Sequence, residues 1–175
     1  MARTTRNPLL AATLALTAVA AGFATWGGWS WYDAAHDDLA AYAKERDAVL
    51  AAGEQAVQKM NTLDHRDLTR GLDSWEHSAT GELRRQLTNG REQFEKQIQQ
   101  ARTVTSAKVL SGAVTELDDR AGRASVMVAL RITVTATKGE PAHKQSRMLG
   151  ELTRTPEGWK LSALGQAPVG NATPE

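Results

Sequence analysis

The chain of 175 residues contains no cysteine. That excludes disulfides, thiol nucleophiles and thiolate metal sites together, so packing alone must hold the fold. It also lacks any block of like charge. Lys and Arg number 21 against 20 Asp and Glu, a formal net charge of +1, and no basic run is suited to following a phosphate backbone. Nucleic acid is therefore not an expected partner. Signatures of chemistry are missing as well: there is no Gly-rich phosphate loop, no Rossmann fingerprint and no G-x-S-x-G nucleophile motif. The four histidines, His36, His65, His77 and His143, stand far apart without H-x-x-x-H or H-E-x-x-H spacing, and no carboxylate cluster completes a metal set. No metal ligand, cofactor-binding residue or catalytic residue is assigned, and no cofactor is expected.

What is present begins with an uncharged run, Leu9 to Trp31. At about 1.5 Å of rise per helical residue it is long enough to cross a hydrocarbon core of roughly 30 Å. Arg3 and Arg6 precede it, and Asp33, Asp37 and Asp38 follow, so the positive-inside rule keeps the amino terminus cytoplasmic and everything after the run extracytoplasmic. Trp26, Trp29, Trp31 and Tyr32 crowd its outer end, as an interfacial aromatic belt does. The competing reading is a cleaved signal peptide ending at Ala18-Val19-Ala20, but the apolar run continues well beyond the roughly 7–15 residues of a signal core. A retained single-pass transmembrane helix over 9–32 is expected, after a cytoplasmic amino terminus at 1–8.

From Ala34 to Met60 apolar residues recur at helical spacing, among them Leu39, Tyr42, Val49, Leu50, Val57 and Met60. This predicts a long amphipathic helix whose first part, 33–45, forms a stalk and whose carboxyl half packs on a domain. Asn61 to His65 breaks the period, and Asp64 and Asp67 are placed to cap a short helix carrying Leu68, Leu72 and Trp75. The stripe of Leu83, Leu87, Phe94, Ile98 and Ala101, interrupted at Asn89-Gly90, predicts one or two further helices. After Thr103 the period changes from near 3.6 to 2 and β-branched residues abound. Four strands are expected: Val104–Leu117, Arg123–Thr137, Lys144–Arg154 and Trp159–Leu164. In the second, Ala124, Val126, Val128, Leu130, Ile132, Val134 and Ala136 share the core face. The tail at 165–175, broken by Pro168, Gly170 and Pro174, is left disordered. The result is an α+β fold: an amino-terminal transmembrane helix, then helices packed on a curved four-stranded antiparallel sheet, a cone, over residues 46–164.

Few side chains could carry chemistry in such a cone. Asp73 and His77, four apart on a helix, and Asp64 with His65 resemble a base with its orienting acid, although a capped, solvated helix surface accounts for both pairs. Arg131, on the polar face of the long strand, is positioned to hold an anion, yet Thr133 and Thr135 beside it mark a solvated face. Trp75 and Trp159 stand on apolar faces as core aromatics.

The helix RDAVLAAGEQAVQKMNTLD, the step HSATGELRRQL, the strands opening TVTSAKVLSGAVTELDDRAGRASVMVALRITVT and the closing GWKLSALGQ follow one another behind the uncharged run. In these segments, over roughly Arg46 to Leu164, the chain resembles the Mce-associated membrane proteins of actinobacteria, which accompany mammalian cell entry lipid-import systems. The resemblance implies a domain similar to nuclear transport factor 2, no catalytic residues, and a supporting role beside lipid-carrying Mce proteins. The functional expectation is thus a non-enzymatic accessory subunit of the cell envelope, bound to the lipid membrane and to an Mce-type lipid or sterol transporter. The alternatives are a membrane-tethered small-molecule binder or enzyme of the cone fold, or the scaffold of a type IV secretion-like channel.

Overall fold

The computed structural model describes residues 8–136 and 140–167, without the side chains of 8–12, 14, 15 and 33–38. The chain divides between Lys44 and Glu45 into two compact units. A single helix, α1 (Pro8–Met60), carries the described part of the first unit, since no proline after Pro8 interrupts it. In that unit Leu16, Val19, Phe23, Trp26, Trp29 and Trp31 are all more than half exposed. The hydroxyls of Thr17 and Thr25 turn back onto the carbonyls of Thr13 and Ala21, each at 2.9 Å.

The expected transmembrane helix at 9–32 is not recovered among the described residues, where no helix is long and apolar enough to cross a membrane. The physical reason lies in composition. The leucine-rich start of the run, Leu9, Leu10 and Leu14, falls outside the described side chains, and the part from Leu16 onward is diluted by Gly, Ser, Thr and Trp.

The second unit is an α+β domain. Its sheet has five strands, all antiparallel, in the order β1-β2-β3-β4-β5: β1 (Leu63–Asp64), β2 (Val104–Asp118), β3 (Arg123–Thr135), β4 (Ala142–Thr155) and β5 (Gly158–Gln166). The expected count of four is one short. β1 is only two residues long, pairing Leu63 with Thr105 and Asp64 with Val104, and two residues show no alternation in sequence. β5 runs two residues beyond Leu164 to Gln166, and Ala167 still donates its N–H to the carbonyl of Arg147 at 2.9 Å. The expected turn at Lys138-Gly139 and the tail from Pro168 lie outside the described residues.

On β3 the alternation reads cleanly, with Ala124, Val126, Val128 and Leu130 buried and Arg123, Met127 and Arg131 exposed. The last turns of α1 lie on that inner face, where Val49, Ala56 and Val57 meet Val126, Val128, Leu130, Leu152 and Leu161. Each such Val or Leu removed from water stabilises the fold by about 1.5–3 kcal/mol before conformational entropy is counted. Gly53 permits the close approach, because a Cβ there would stand 2.7 Å from Cγ2 of Val126. Where α1 ends, Gln58 Nε2 donates to the carbonyl of Ala107 at 3.0 Å and Thr62 Oγ1 accepts from its N–H at 3.2 Å, so side chains satisfy part of the β2 edge.

Two helices complete the domain, α2 (Leu68–Ser78) and α3 (Gly81–Ala101). The start of α2 packs beside β1, through Leu63, Leu68 and Leu72. Its end reaches the opposite edge of the sheet, where Ala79 bridges to Leu161 and the N–H of Thr80 donates to the carbonyl of Leu161 at 2.7 Å. An 11-residue helix is about 16 Å long, so the two edges it joins must curl toward each other, which makes the sheet a cone. α3 passes through Asn89-Gly90 unbroken, so of the one or two helices expected there is one. One glycine costs a helix about 1 kcal/mol, too little to stop it within a 21-residue helix that has a packed stripe.

Candidate functional site

The corner between α2, α3 and the end of α1 holds two apolar pockets that share Trp75 and Phe94. Leu63, Leu68 and Leu72 are buried there, and Trp75, Phe94 and Ile98 are half-buried around them. The rings of Trp75 and Phe94 stand 5.4 Å apart and tilted by 48°. Trp75 Nε1 donates to the carbonyl of Lys59 at 2.7 Å, which satisfies one of the carbonyls left over at the end of α1. The aromatic pair partitions the corner. On one side lies a cavity of about 160 Å³ lined by Leu72, Trp75, Leu87, Gly90 and Phe94. On the other lies one of about 170 Å³, bounded by Met60, Leu63 and Ile98.

Charge at this corner centres on Arg91. Its guanidinium donates to Asp73 at 2.7 Å and Glu76 at 3.0 Å from Nη1, and to Glu95 at 3.0 Å from Nε. Those bonds, to Asp73 first, hold the Arg91 pKa further above its ordinary value. Arg91 and Glu76 are the charged groups that line the first cavity, and they are bonded to each other. The cavity offers apolar walls and a neutralised ion pair, with no acid–base couple aimed into it. In sequence, Arg91 occupies the apolar stripe between Leu87 and Phe94, and that misplaced charge is the signal from which this cluster could have been found.

The candidate pairs from the sequence are not brought together as acid and base. The Asp73 carboxylate accepts from Arg91. Asp64 is taken by Arg66, whose Nη2 donates at 2.6 Å and whose backbone N–H donates at 2.9 Å. Those bonds hold its carboxyl down to about 2 from 3.8. His65 Nδ1 is 3.6 Å from Asp64, beyond hydrogen-bond reach, and is buried with no hydrogen-bond partner among the described residues. His143 Nδ1 pairs with the hydroxyl of Thr133 at 3.0 Å on the outer face of the sheet, and the side chain of His36 lies outside those described. Arg131 is exposed on that same outer face, opposite Lys108 and Gln145. Trp75 and Trp159 sit half-buried at the margin of the core rather than inside it.

A second polar cluster stands where α1 enters the domain. Glu45 Oε1 accepts from Arg154 Nη2 at 2.6 Å and from Trp159 Nε1 at 2.7 Å. The guanidinium of Arg154 lies 4.9 Å over the Trp159 ring and also pairs with Asp119. All of its polar groups bond one another, so it acts as a clamp on the helix.

Helices over a curled antiparallel sheet, with a closed inner core and a small apolar corner, define a cone-type α+β domain. The fold is similar to the periplasmic domain of DotI, at 20% identity and a TM-score of 0.57 over 69% of this chain and 94% of that one. It is also similar to VirB8 of Agrobacterium tumefaciens, at 10% identity and 0.56 over 73% and 96%. A third likeness is to CagV, a VirB8 homologue of the type IV secretion system of Helicobacter pylori, at 13% identity and 0.52 over 70% and 98%. At such identities the likeness is one of fold. The chain itself belongs to the family described as "Uncharacterized protein Rv1363c/MT1408-like", whose profile matches residues 8–164. That is a mycobacterial family, in keeping with an actinobacterial protein, whereas kinship with Mce-associated proteins finds no support in these matches. A search of curated proteins finds no match.

Proposed function

We propose that this chain is a membrane-associated, extracytoplasmic assembly subunit without catalytic chemistry of its own, serving as a scaffold in a secretion-like envelope machine. The observation that carries this reading is the fold itself, whose likeness extends over 94–98% of the periplasmic domain of DotI, of VirB8 and of CagV, the last a type IV secretion component. The corner cavity is consistent with it, since its charged groups neutralise each other and leave nothing to transfer a proton. Membrane association rests on the first unit, an uncharged helical run whose Trp26, Trp29 and Trp31 are 72–77% exposed and whose threonine hydroxyls are satisfied by the helix backbone. Such a surface calls for lipid around it. The charge pattern on either side of the run supports a cytoplasmic amino terminus and a domain from residue 46 onward outside the cell membrane.

An Mce-type lipid or sterol importer as partner has only the sequence resemblance behind it, and it enters as an outcome of the test. The test is crosslinking of the tagged full-length chain in intact cells, followed by purification from the membrane fraction and mass spectrometry. Recovery from membranes after a high-salt wash, with secretion-type envelope proteins attached, is expected. Recovery of Mce transporter subunits instead would replace the scaffold by the importer. A chain found in the soluble fraction, or one that turns over a small lipophilic substrate, would overturn the proposal.

A further inference from the structure

Among the described residues of the second unit no helix covers the outer face of the sheet, and the register orders its side chains into levels. Level with Ser125 of β3 stand Glu116 of β2 and Glu151 of β4, all turned outward. Level with Met127 stand Ala113 and Leu149. Level with Ala129 comes Arg147, and level with Arg131 comes Lys108. Level with Arg123, at the same end as the two glutamates, stands Asp118, so the face carries three carboxylates against one arginine at one end, is apolar in the middle and is basic at the other. Leu110 and Met127, at 44% and 38% exposure, are the most exposed large apolar side chains among the described residues of this unit, and both belong to the middle. None of Glu116, Glu151, Lys108, Arg131 and Arg147 has an ion-pair partner among the described residues, although six arginines elsewhere in the chain are paired.

We propose that this face binds a second copy of the chain, through a two-fold axis lying in the interface at right angles to β3 and passing between Met127 and Ala129. That rotation reverses the strand direction of the second copy. It sets Glu116 of one copy against Lys108 of the other, places Arg131 over Ser125 between Glu116 and Glu151, and sets Met127 against Ala129, so that the two Met127 side chains are neighbours along the strand. A single patch thereby complements itself, as an isologous interface must. An acidic protein or an anionic membrane would be repelled at the Glu116–Glu151 end, and a basic partner at the Arg131 end, so the dipolar face favours its own copy. The area suffices. With about 3.4 Å per residue and about 4.8 Å per strand, β2, β3 and β4 from Arg123 to Thr133, with β5 over half that length, cover about 570 Å² per copy, and two copies together bury more than the roughly 1,000 Å² a specific interface needs.

The absence of cysteine makes the test direct. In the full-length chain in native membranes, Met127→Cys is expected to give a crosslinked dimer with a short bifunctional methanethiosulfonate, whereas Glu92→Cys, on the exposed side of α3, stays monomeric. Two differently tagged versions of the Met127→Cys chain then test the charge pairing. One carries Lys108→Glu and Arg131→Glu and is acidic at both ends; the other carries Glu116→Lys and Glu151→Arg and is basic at both ends. Each alone should lose about tenfold in dimer yield, and the mixture should recover it as the heterodimer. Circular dichroism melts establish that each variant is folded. No dimer from folded Met127→Cys, equal crosslinking from Glu92→Cys, adducts only to a different protein, or no recovery on mixing folded variants would each overturn the proposal. Should a charge variant not fold, the contrast between Met127→Cys and Glu92→Cys decides alone.

Discussion

The inner face of the sheet and the α2–α3 corner are both apolar contacts between helix and neighbour, yet one closes and the other does not. Under α1, Val49, Val57, Val126, Val128 and Leu130 are all at 0% exposure. At the corner α3 carries no buried residue, and two cavities flank Trp75 and Phe94. The difference follows from the side chains. Stiff β-branched residues on a strand interdigitate with a helix that a glycine allows to come close, and the contact fills to crystal-like density. Two aromatic rings held at a tilt cannot tile the same space, so the corner takes its position from hydrogen bonds: Trp75 to the end of α1, and Arg91 to three carboxylates. One region is held by packing and the other by bond geometry.

The sharpest way to break the comparison is a charge in the closed region. Val128→Asp should lower unfolding free energy by about 4 kcal/mol or more, because a carboxylate there has no partner and no water. Thr133→Asp, on the opposite face of the same strand, should change it by less than about 1 kcal/mol. Urea denaturation of the two variants measures both, and equal losses would mean that the faces are reversed. A smaller effect is expected at the corner. Arg91→Met keeps the length of the side chain and leaves half-buried Glu76 without its counter-charge, so a loss of about 1–3 kcal/mol follows. Amide hydrogen exchange should show it as faster opening of α3 with β3 unchanged. Equal acceleration in both would mean that the two regions open as one.

The closed region was legible in sequence because its two periods, 2 on the strands and 3.6 on α1, point to the same residues: Val126, Val128 and Leu130 on one side, Val49 and Val57 on the other. β1 was not, since two residues carry no period and its pairing is made by Thr105 and Val104, some 40 residues on. At Asn89-Gly90 the sequence leaves one helix or two open, because local punctuation there competes with a stripe whose packing only the fold shows. The corner lay beyond sequence for a different reason. Asp73 looked like a partner of His77 at helical spacing, and only the fold brings Arg91 across from the next helix to take it. Long-range ion pairs leave no periodic trace; the one hint was an arginine standing where a leucine belonged.

Two glycines give the finest test, because the same substitution should move the two regions in opposite directions. Gly53 and Gly90 both lie inside helices, where Gly→Ala alone favours the folded state by about 0.5–1 kcal/mol through helix propensity and the entropy of the unfolded chain. At Gly53 the added Cβ would stand 2.7 Å and 3.1 Å from the two methyls of Val126, a fully buried, β-branched side chain that cannot rotate away. Overpacking of that kind costs about 1–3 kcal/mol, more than the propensity gain, so Gly53→Ala should lower the melting temperature. At Gly90 an added Cβ would meet nothing within 4 Å, and it would stand at the rim of the first cavity. Gly90→Ala should therefore raise stability by close to the full propensity term. Differential scanning calorimetry on the two variants reads both signs in one experiment. A gain at Gly53 would mean that α1 has room to lift from the sheet, and the closed region would then differ from the corner only in degree.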